Sequence, residues 1–415
     1  MPADPDTRAA RKRARTGVCV LVVLTAGAYL PSPLYPGYQG AFGISDLTMT
    51  LVYATFALIS APALVLLGPA SDVLGPRRVL RAGIVAAAVG SVCFAVASGP
   101  AWLLMGRAAQ GLALGAATGA AGALIGSRPR GSSRASGPVL ASAAFVAGTA
   151  AGPVAGGVLA QYAPAPQVLP FALHLALLAV CWSRVSALVD PARPSRRWTP
   201  ARPAIPRGMR LLFASAAATG FLAWTVAGLF LAVIPGLLDR SARSGPAVTG
   251  GVLGAVLLCS LLTQPLVPRL GARLAQLAGL AAVLVGLGIL AITAAGSTPV
   301  TLAAAVVAGA GHGLAYGAAA AEVEAVAPAG RRGGVLGALY LAFYLGAGIP
   351  AVAVGMLTLD HPLSTATSWI AAAAAGLIPV VAALVVFVRH PAMRGGGDGD
   401  RHRRATPTAV DPAGV

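Results

Sequence analysis

This sequence predicts an all-α membrane protein of twelve transmembrane helices, arranged as two six-helix pseudo-repeat bundles, and three observations carry that prediction. Of its 415 residues 57% are hydrophobic and only 10% charged, against roughly 45–50% and 25% in soluble domains. Twelve apolar runs are long enough to cross about 30 Å of hydrocarbon at ~1.5 Å per helical residue. The basic residues alternate, 27 of the 30 falling in every second gap between runs, which is the bias that sets membrane orientation.

The runs lie near 17–40, 47–67, 79–99, 101–126, 137–162, 167–189, 209–238, 247–268, 274–295, 299–326, 333–358 and 366–388. The basic gaps are the N-terminus, the short loops after spans 2, 4, 8 and 10, the stretch from Arg184 to Arg210, and the C-terminal tail. Both termini and the middle loop are therefore expected in the cytoplasm. An odd number of spans would scramble the alternation. Reading the N-terminus as a cleaved secretory signal, with Ala26, Gly27 and Ala28 as the small-residue site, would leave eleven spans and do so.

The net charge of +18 would suggest nucleic acid in a soluble protein. Here the charges lie in inter-helix loops, and aromatic residues, at 6%, are too scattered for a base-stacking platform. Cys19, Cys93, Cys181 and Cys259 sit inside apolar runs at no ligand spacing, so neither metal nor disulfide is expected. No P-loop, HExxH or GxSxG string occurs, so no cofactor or enzymatic chemistry is expected.

The expected organisation is an N-terminal tail over 1–16, a first bundle over 17–190, a linker over 191–208, a second bundle over 209–390 and a disordered tail over 391–415. Five prolines between Pro191 and Pro206 prevent a helix from running through the linker. The halves echo each other, since Gly75 recurs as Gly271 and Pro153 as Pro350, at nearly constant offset, the mark of parallel repeats.

Four strings stand out. Between spans 2 and 3, Gly68, Asp72, Gly75, Arg77 and Arg78 allow a tight glycine turn to gather a carboxylate and guanidiniums at the membrane edge. In span 4, Arg107 and Gln110 share a helix face beside Gly111; a charge at that depth costs up to about 3 kcal/mol unless it faces the protein interior. In span 5, Gly148, Gly152 and Gly156 leave one helix face bare for a neighbour, with Pro153 as a kink and Gly157 following. In span 1, Pro31, Pro33 and Pro36 interrupt the helix, which a membrane tolerates only where the freed carbonyls are buried or line a cavity. Tyr29 and Tyr35 flank that break, as path-lining residues or interfacial anchors.

These strings resemble the major facilitator superfamily over roughly residues 15 to 392. Gly68, Asp72, Gly75 and Arg77 match its loop pattern GxxxDxxGxR/K, with departures at Val73 and Pro76, where the family has basic residues. Gln264 to Arg273 keep a degenerate copy with no acid. Arg107, Gln110 and Gly111 resemble the RxxQG motif of helix 4, which in proton-coupled members is linked to proton transfer. Gly148, Gly152, Pro153, Gly156 and Gly157 match the helix 5 antiporter signature of exporters, which implies a seal against helix 8 or 11. The prolines of span 1 are similar to those opening actinobacterial members.

The resemblance implies alternating access around a cavity formed by spans 1, 4, 7 and 10. Candidates to line it are Tyr29, Arg107, Gln110, Phe221, Trp224, His312, Tyr316, Tyr340 and Tyr344. No carboxylate lies in the middle of spans 1, 4, 5 or 7, so proton coupling is expected through His312, Glu322 or Asp72. Glu322 and Glu324 near Arg331 and Arg332 read rather as a structural gate, and Asp46 as exposed at the outer end of span 1. The expected function is proton-coupled efflux of a small lipophilic compound by a monomer in a bacterial cytoplasmic membrane. Import of a metabolite is the alternative, and a non-transporting sensor a remote one.

Overall fold

A computed structural model describes residues 5–67, 70–126, 137–188, 205–241, 244–328 and 332–388, without the side chains of residues 5, 6, 72 and 137–139. All regular structure in them is helical, and twelve segments are long and apolar enough to span a bilayer. They are Thr7–Phe42, Asp46–Leu67, Pro76–Ala95, Pro100–Gly126, Leu140–Tyr162 and Leu169–Ser186 in the first half. The second half has Arg207–Arg240, Pro246–Leu270, Ala272–Thr293, Thr298–Val326, Arg332–Leu357 and Leu363–Phe387. These are spans 1 to 12. Gly68, the linker residues 191–204, Arg243, Arg331 and the tail 391–415 lie outside the described residues.

Burial sorts the spans into layers. The most apolar window of span 7 is 89% buried and that of span 1 is 78%, whereas span 6 reaches 33% and span 12 only 28%. Spans 7 and 1 are thus central, while spans 6 and 12 face outward and expose large apolar side chains such as Leu177, Val380 and Phe387. A belt of this kind requires lipid, not water.

Proline and glycine set the local geometry. Span 1 is helical over Pro5–Tyr29, passes through a 3₁₀ turn at Ser32–Leu34 and resumes as Tyr35–Phe42. The helix begins well before the apolar run, so the N-terminal segment is a helical extension of span 1. Pro31 and Pro33 lack the N–H groups that would donate to the Gly27 and Tyr29 carbonyls, so the helix breaks there. Span 7 shows the same device, Arg210–Ala232 followed by Ile234–Arg240 around Pro235. The repeat extends to backbone angles: Gly75 has φ +83° and Gly271 φ +78°, each at the N-terminal boundary of the helix that forms span 3 or span 9.

The halves meet where span 5 packs on span 8 and span 2 on span 11. Within the halves, span 1 packs on spans 4 and 5, and span 7 on spans 10 and 11.

Candidate functional site

Between the halves, toward the face where span 1 begins and span 12 ends, lies a cavity of about 510 Å³. Leu21, Leu64, Leu114, Thr118, Ser142 and Phe145 line it from the first half. Trp224, Gln264, Tyr316, Glu324, Tyr340, Phe343 and Tyr344 line it from the second. The far side is closed by contacts between halves. Arg240 at the end of span 7 donates to Asp46 at the start of span 2 (2.5 Å), and Gln39 Nε2 donates to the same carboxylate (3.0 Å). The Ala247 N–H of span 8 donates to Gln161 Oε1 of span 5 (3.0 Å). Asp46 is therefore a part-buried link between halves and not the exposed end of span 1, because the chain turns at Gly43 and Asp46 opens span 2.

Helical spacing assembles an aromatic cluster at the cavity. On span 10, His312 and Tyr316 are one turn apart and their rings stack at 5.5 Å between centroids. On span 11, Tyr340, Phe343 and Tyr344 share one face. Trp224 of span 7 meets His312 at 5.1 Å, Tyr316 at 5.7 Å and Tyr344 at 5.8 Å. The missing side chain of Gly220 makes room for the Phe343 ring. Within the cluster, His312 Nδ1 pairs with Ser260 Oγ (2.8 Å), while His312 Nε2 and Trp224 Nε1 have no hydrogen-bond partner. His312 stands behind Tyr316 rather than on the cavity wall.

Besides His312, four sequence candidates for the wall lie elsewhere: Tyr29, Arg107, Gln110 and Phe221. Tyr29 is fully buried beneath the closed side, edge-on to Phe56. Phe221 opens onto a separate groove between spans 7, 11 and 12. Three residues before Trp224, it is rotated about 60° around the helix, enough to face Leu377 and Val381. Glu324, expected in a gate, lines the cavity. Glu322 is buried and accepts a hydrogen bond from Gln276 Nε2 of span 9. The Asp72 side chain is outside the described residues; Arg77 is part-buried and Arg78 exposed.

Arg107 is entirely buried. Its Nη1 donates to the Ala28 carbonyl (2.5 Å) and to Gln110 Oε1 (3.0 Å), and Gln110 Nε2 donates to the Gly27 carbonyl (3.1 Å). Those carbonyls belong to the turn that Pro31 disrupts, so Arg107 and Gln110 cap the broken end of span 1. The guanidinium also lies 4.9 Å from the Phe56 ring centre, 5.6 Å from that of Tyr53 and 5.7 Å from that of Tyr35, close enough for cation–π attraction. Gly111 lets span 4 approach the Phe56 carbonyl and Ser60 of span 2.

The glycine stripe of span 5 packs on span 1 and not, as the resemblance implied, on span 8 or 11. A Cβ on Gly148, Gly152 or Gly156 would overlap the carbonyls of Val22, Ala26 and Leu30 respectively. The stripe therefore seats span 1, with which it shares the first half. Span 8 is met by Gly157, against Pro246 and Gly250, and by the Pro153 carbonyl, against Gly250.

Phe343 was legible as the i+3 neighbour of Tyr340, and Glu324 as a carboxylate two residues beyond Glu322. Ser142, which donates to Gln264 Oε1 across the halves (2.9 Å), carried no such signal. Nor did His174, whose Nε2–H donates to the Val23 carbonyl (3.0 Å) while Nδ1 accepts from Ser91 Oγ (2.6 Å).

Comparison with known proteins agrees with this architecture. The sequence model of the Major Facilitator Superfamily matches residues 17–349. A bacterial homolog of the human lysosomal transporter Spinster, solved in an inward-facing and occupied conformation, superposes with a TM-score of 0.69 at 16% identity. The match covers 92% of this chain and 97% of that one, and at that identity it shows the fold alone. Curated protein sequences gave no match. With a matched family spanning most of the chain and twelve helices packed around a central cavity, this protein belongs to the Major Facilitator Superfamily, as a multi-pass secondary transporter and not an enzyme.

Proposed function

We propose that the chain exports small, lipophilic, weakly cationic compounds in exchange for protons, working as a monomer in a bacterial cytoplasmic membrane with both termini inside. The observation that carries this reading is the lining of the cavity. Aromatic faces from Trp224, Tyr316, Tyr340 and Tyr344 surround it, and Glu324 is the carboxylate among its described lining residues. Aromatic rings attract an organic cation through their negative faces, and one carboxylate favours a single positive charge. A phosphorylated substrate would instead meet Glu324 as a like charge, with no arginine among the lining residues to offset it. Export is supported by the unbroken antiporter-like string Gly148, Gly152, Pro153, Gly156 and Gly157 in span 5. Cytoplasmic termini and an actinobacterial type rest on the sequence, through its basic-residue alternation and span 1 prolines.

The carriers of the coupling proton in this reading are His312, Glu322 and Asp72. His312 and Glu322 are buried on span 10 next to the cavity, and the spacing of the loop motif recommends Asp72. One proton moved through 100 mV supplies about 2.3 kcal/mol, enough for a gradient of roughly fiftyfold.

The test is accumulation of a panel of labelled lipophilic amines and neutral analogues in everted vesicles, with and without an uncoupler. Uncoupler-sensitive accumulation of the amines supports the proposal. Accumulation only in right-side-out cells would replace it with import, and alanine at all three candidate positions leaving proton-driven transport unchanged would remove them as carriers.

A further inference from the structure

The first turns of span 1 carry Arg8, Arg11, Lys12 and Arg15, spaced i, i+3, i+4 and i+7 and therefore on one helix face. The structure turns that face toward the end of span 6, where the four meet Arg184 around a concave pocket of about 500 Å³ that also includes Thr16. The register is pinned one turn further along, where the thiols of Cys19 and Cys181 lie 3.8 Å apart, and Arg184 follows Cys181 on the same face of span 6. Nearby, the Arg81 guanidinium stacks 4.2 Å over Trp182, one turn before the end of span 6, and tryptophan is enriched where spans meet the membrane interface.

Five cations thus converge from two elements, and no carboxylate among the described side chains lies within ion-pair distance of any of them. Like charges so gathered repel unless an anion sits among them. Orientation alone does not call for convergence, since the positive-inside bias counts charges near the ends of spans without requiring that they share a pocket. The pocket lies where span 6 ends, and the ends of membrane-spanning helices meet the headgroup region. Basic pockets between helices at this level are suited to phosphate-bearing headgroups, and a guanidinium fork fits phosphate oxygens in pairs.

We propose that Arg8, Arg11, Lys12, Arg15 and Arg184 form a binding site for a phosphate anion, supplied by the headgroup of an anionic phospholipid or by free phosphate. The site is about the protein's surroundings and does not depend on which substrate the cavity carries.

The test uses the full chain purified in neutral detergent, with three probes: dioleoylphosphatidylglycerol, dioleoylphosphatidylcholine and inorganic phosphate. Binding is read by native mass spectrometry, and protection by the thermal unfolding midpoint. The expected result is that phosphatidylglycerol binds and raises the midpoint while phosphatidylcholine does not. The R11Q/K12Q/R15Q variant should bind it roughly a hundredfold more weakly, at about fivefold for each cation near such a surface. R207Q/R269Q, which removes two cations from other basic gaps, should leave binding within about threefold. Saturable binding of inorganic phosphate, lost in the triple variant, would support the site with the free anion as ligand. Equal loss in both variants, or binding of phosphatidylglycerol and phosphate unchanged by the triple variant, would overturn it. All substituted side chains are exposed, so each variant is expected to fold.

Discussion

Span 4 of the first half and span 10 of the second hold corresponding places in the repeat, and each buries a basic side chain, yet the surroundings of the two differ. Arg107 is fastened to the carbonyls of Gly27, through Gln110, and of Ala28, directly. His312 has one polar partner, Ser260, and otherwise rings: Trp224 and Tyr316. The difference begins in the helices they pack against. Span 1 breaks over Pro31 and Pro33 and leaves acceptors to be satisfied inside the membrane, where each unsatisfied group costs several kcal/mol. Span 7 keeps its helix intact up to Ala232, so its inner face offers the Trp224 ring instead. The first half thus uses its buried charge to hold its own backbone together, and the second half gives the cavity its chemistry.

Assembly of the first half is where that contrast breaks most severely. Gly152→Leu would drive a side chain into the Ala26 carbonyl, and overpacking of this kind costs about 1–3 kcal/mol or more; the yield of folded protein after detergent extraction should fall at least tenfold. Gly157→Leu faces the other half, at Pro246. It should extract normally while transport falls about tenfold, because it opposes closure of the side that this structure shows sealed. Equal yields for the two would erase the distinction between a glycine that builds a half and one that docks it.

Arg107 is tested in transport rather than in yield. Arg107→Leu removes charge-assisted hydrogen bonds worth about 1.5–3 kcal/mol each and should lower proteoliposome transport by roughly a hundredfold. Arg107→Lys should not restore it, since a compact, strongly hydrated ammonium lacks the flat delocalised face that the guanidinium sets among the Phe56, Tyr53 and Tyr35 rings. In substrate counterflow, which needs no net proton movement, His312→Phe, which keeps a ring between Trp224 and Tyr316, should cost less than Arg107→Leu if the second half is read chiefly through its rings.

Glu324→Gln sharpens the other side of the comparison. A tenfold rise in KM for a cationic substrate corresponds to about 1.4 kcal/mol and is the expected outcome, with transport of a neutral analogue unchanged. An equal loss for both would make Glu324 structural. The smallest effect belongs to Asp46→Asn. Its partner Arg240 is half exposed, and exposed pairs contribute about 1 kcal/mol or less; labelling of a cysteine placed at Gly43 should change by no more than a few fold.

Much of the fold was legible because a bilayer imposes two counts that a sequence displays directly: apolar run length and the side on which basic residues fall. The burial of Arg107 was legible for the same reason, as a charge at that depth has nowhere else to go. The candidate site was legible in part. Tyr316, Tyr340, Tyr344 and Trp224 came together at the cavity because aromatic side chains on central spans have few other places to face. Phe221 did not, since about 60° of helix rotation separates a cavity wall from a groove between spans, and the sequence does not state how each helix is turned.

By itself, then, the sequence determined the twelve crossings, their pairing into two repeats, the breaks at proline and the bare glycine faces, all consequences of local chemistry meeting lipid. Only the tertiary structure decided that the glycine stripe of span 5 receives the carbonyls of span 1, that Asp46 ties span 2 to span 7, and that Glu324 reaches the cavity while Phe221 does not. Those outcomes depend on helix rotation and on partners far away in the chain, and in a lipid-solvated bundle close packing among distant side chains, rather than hydrophobicity, selects among the possible faces.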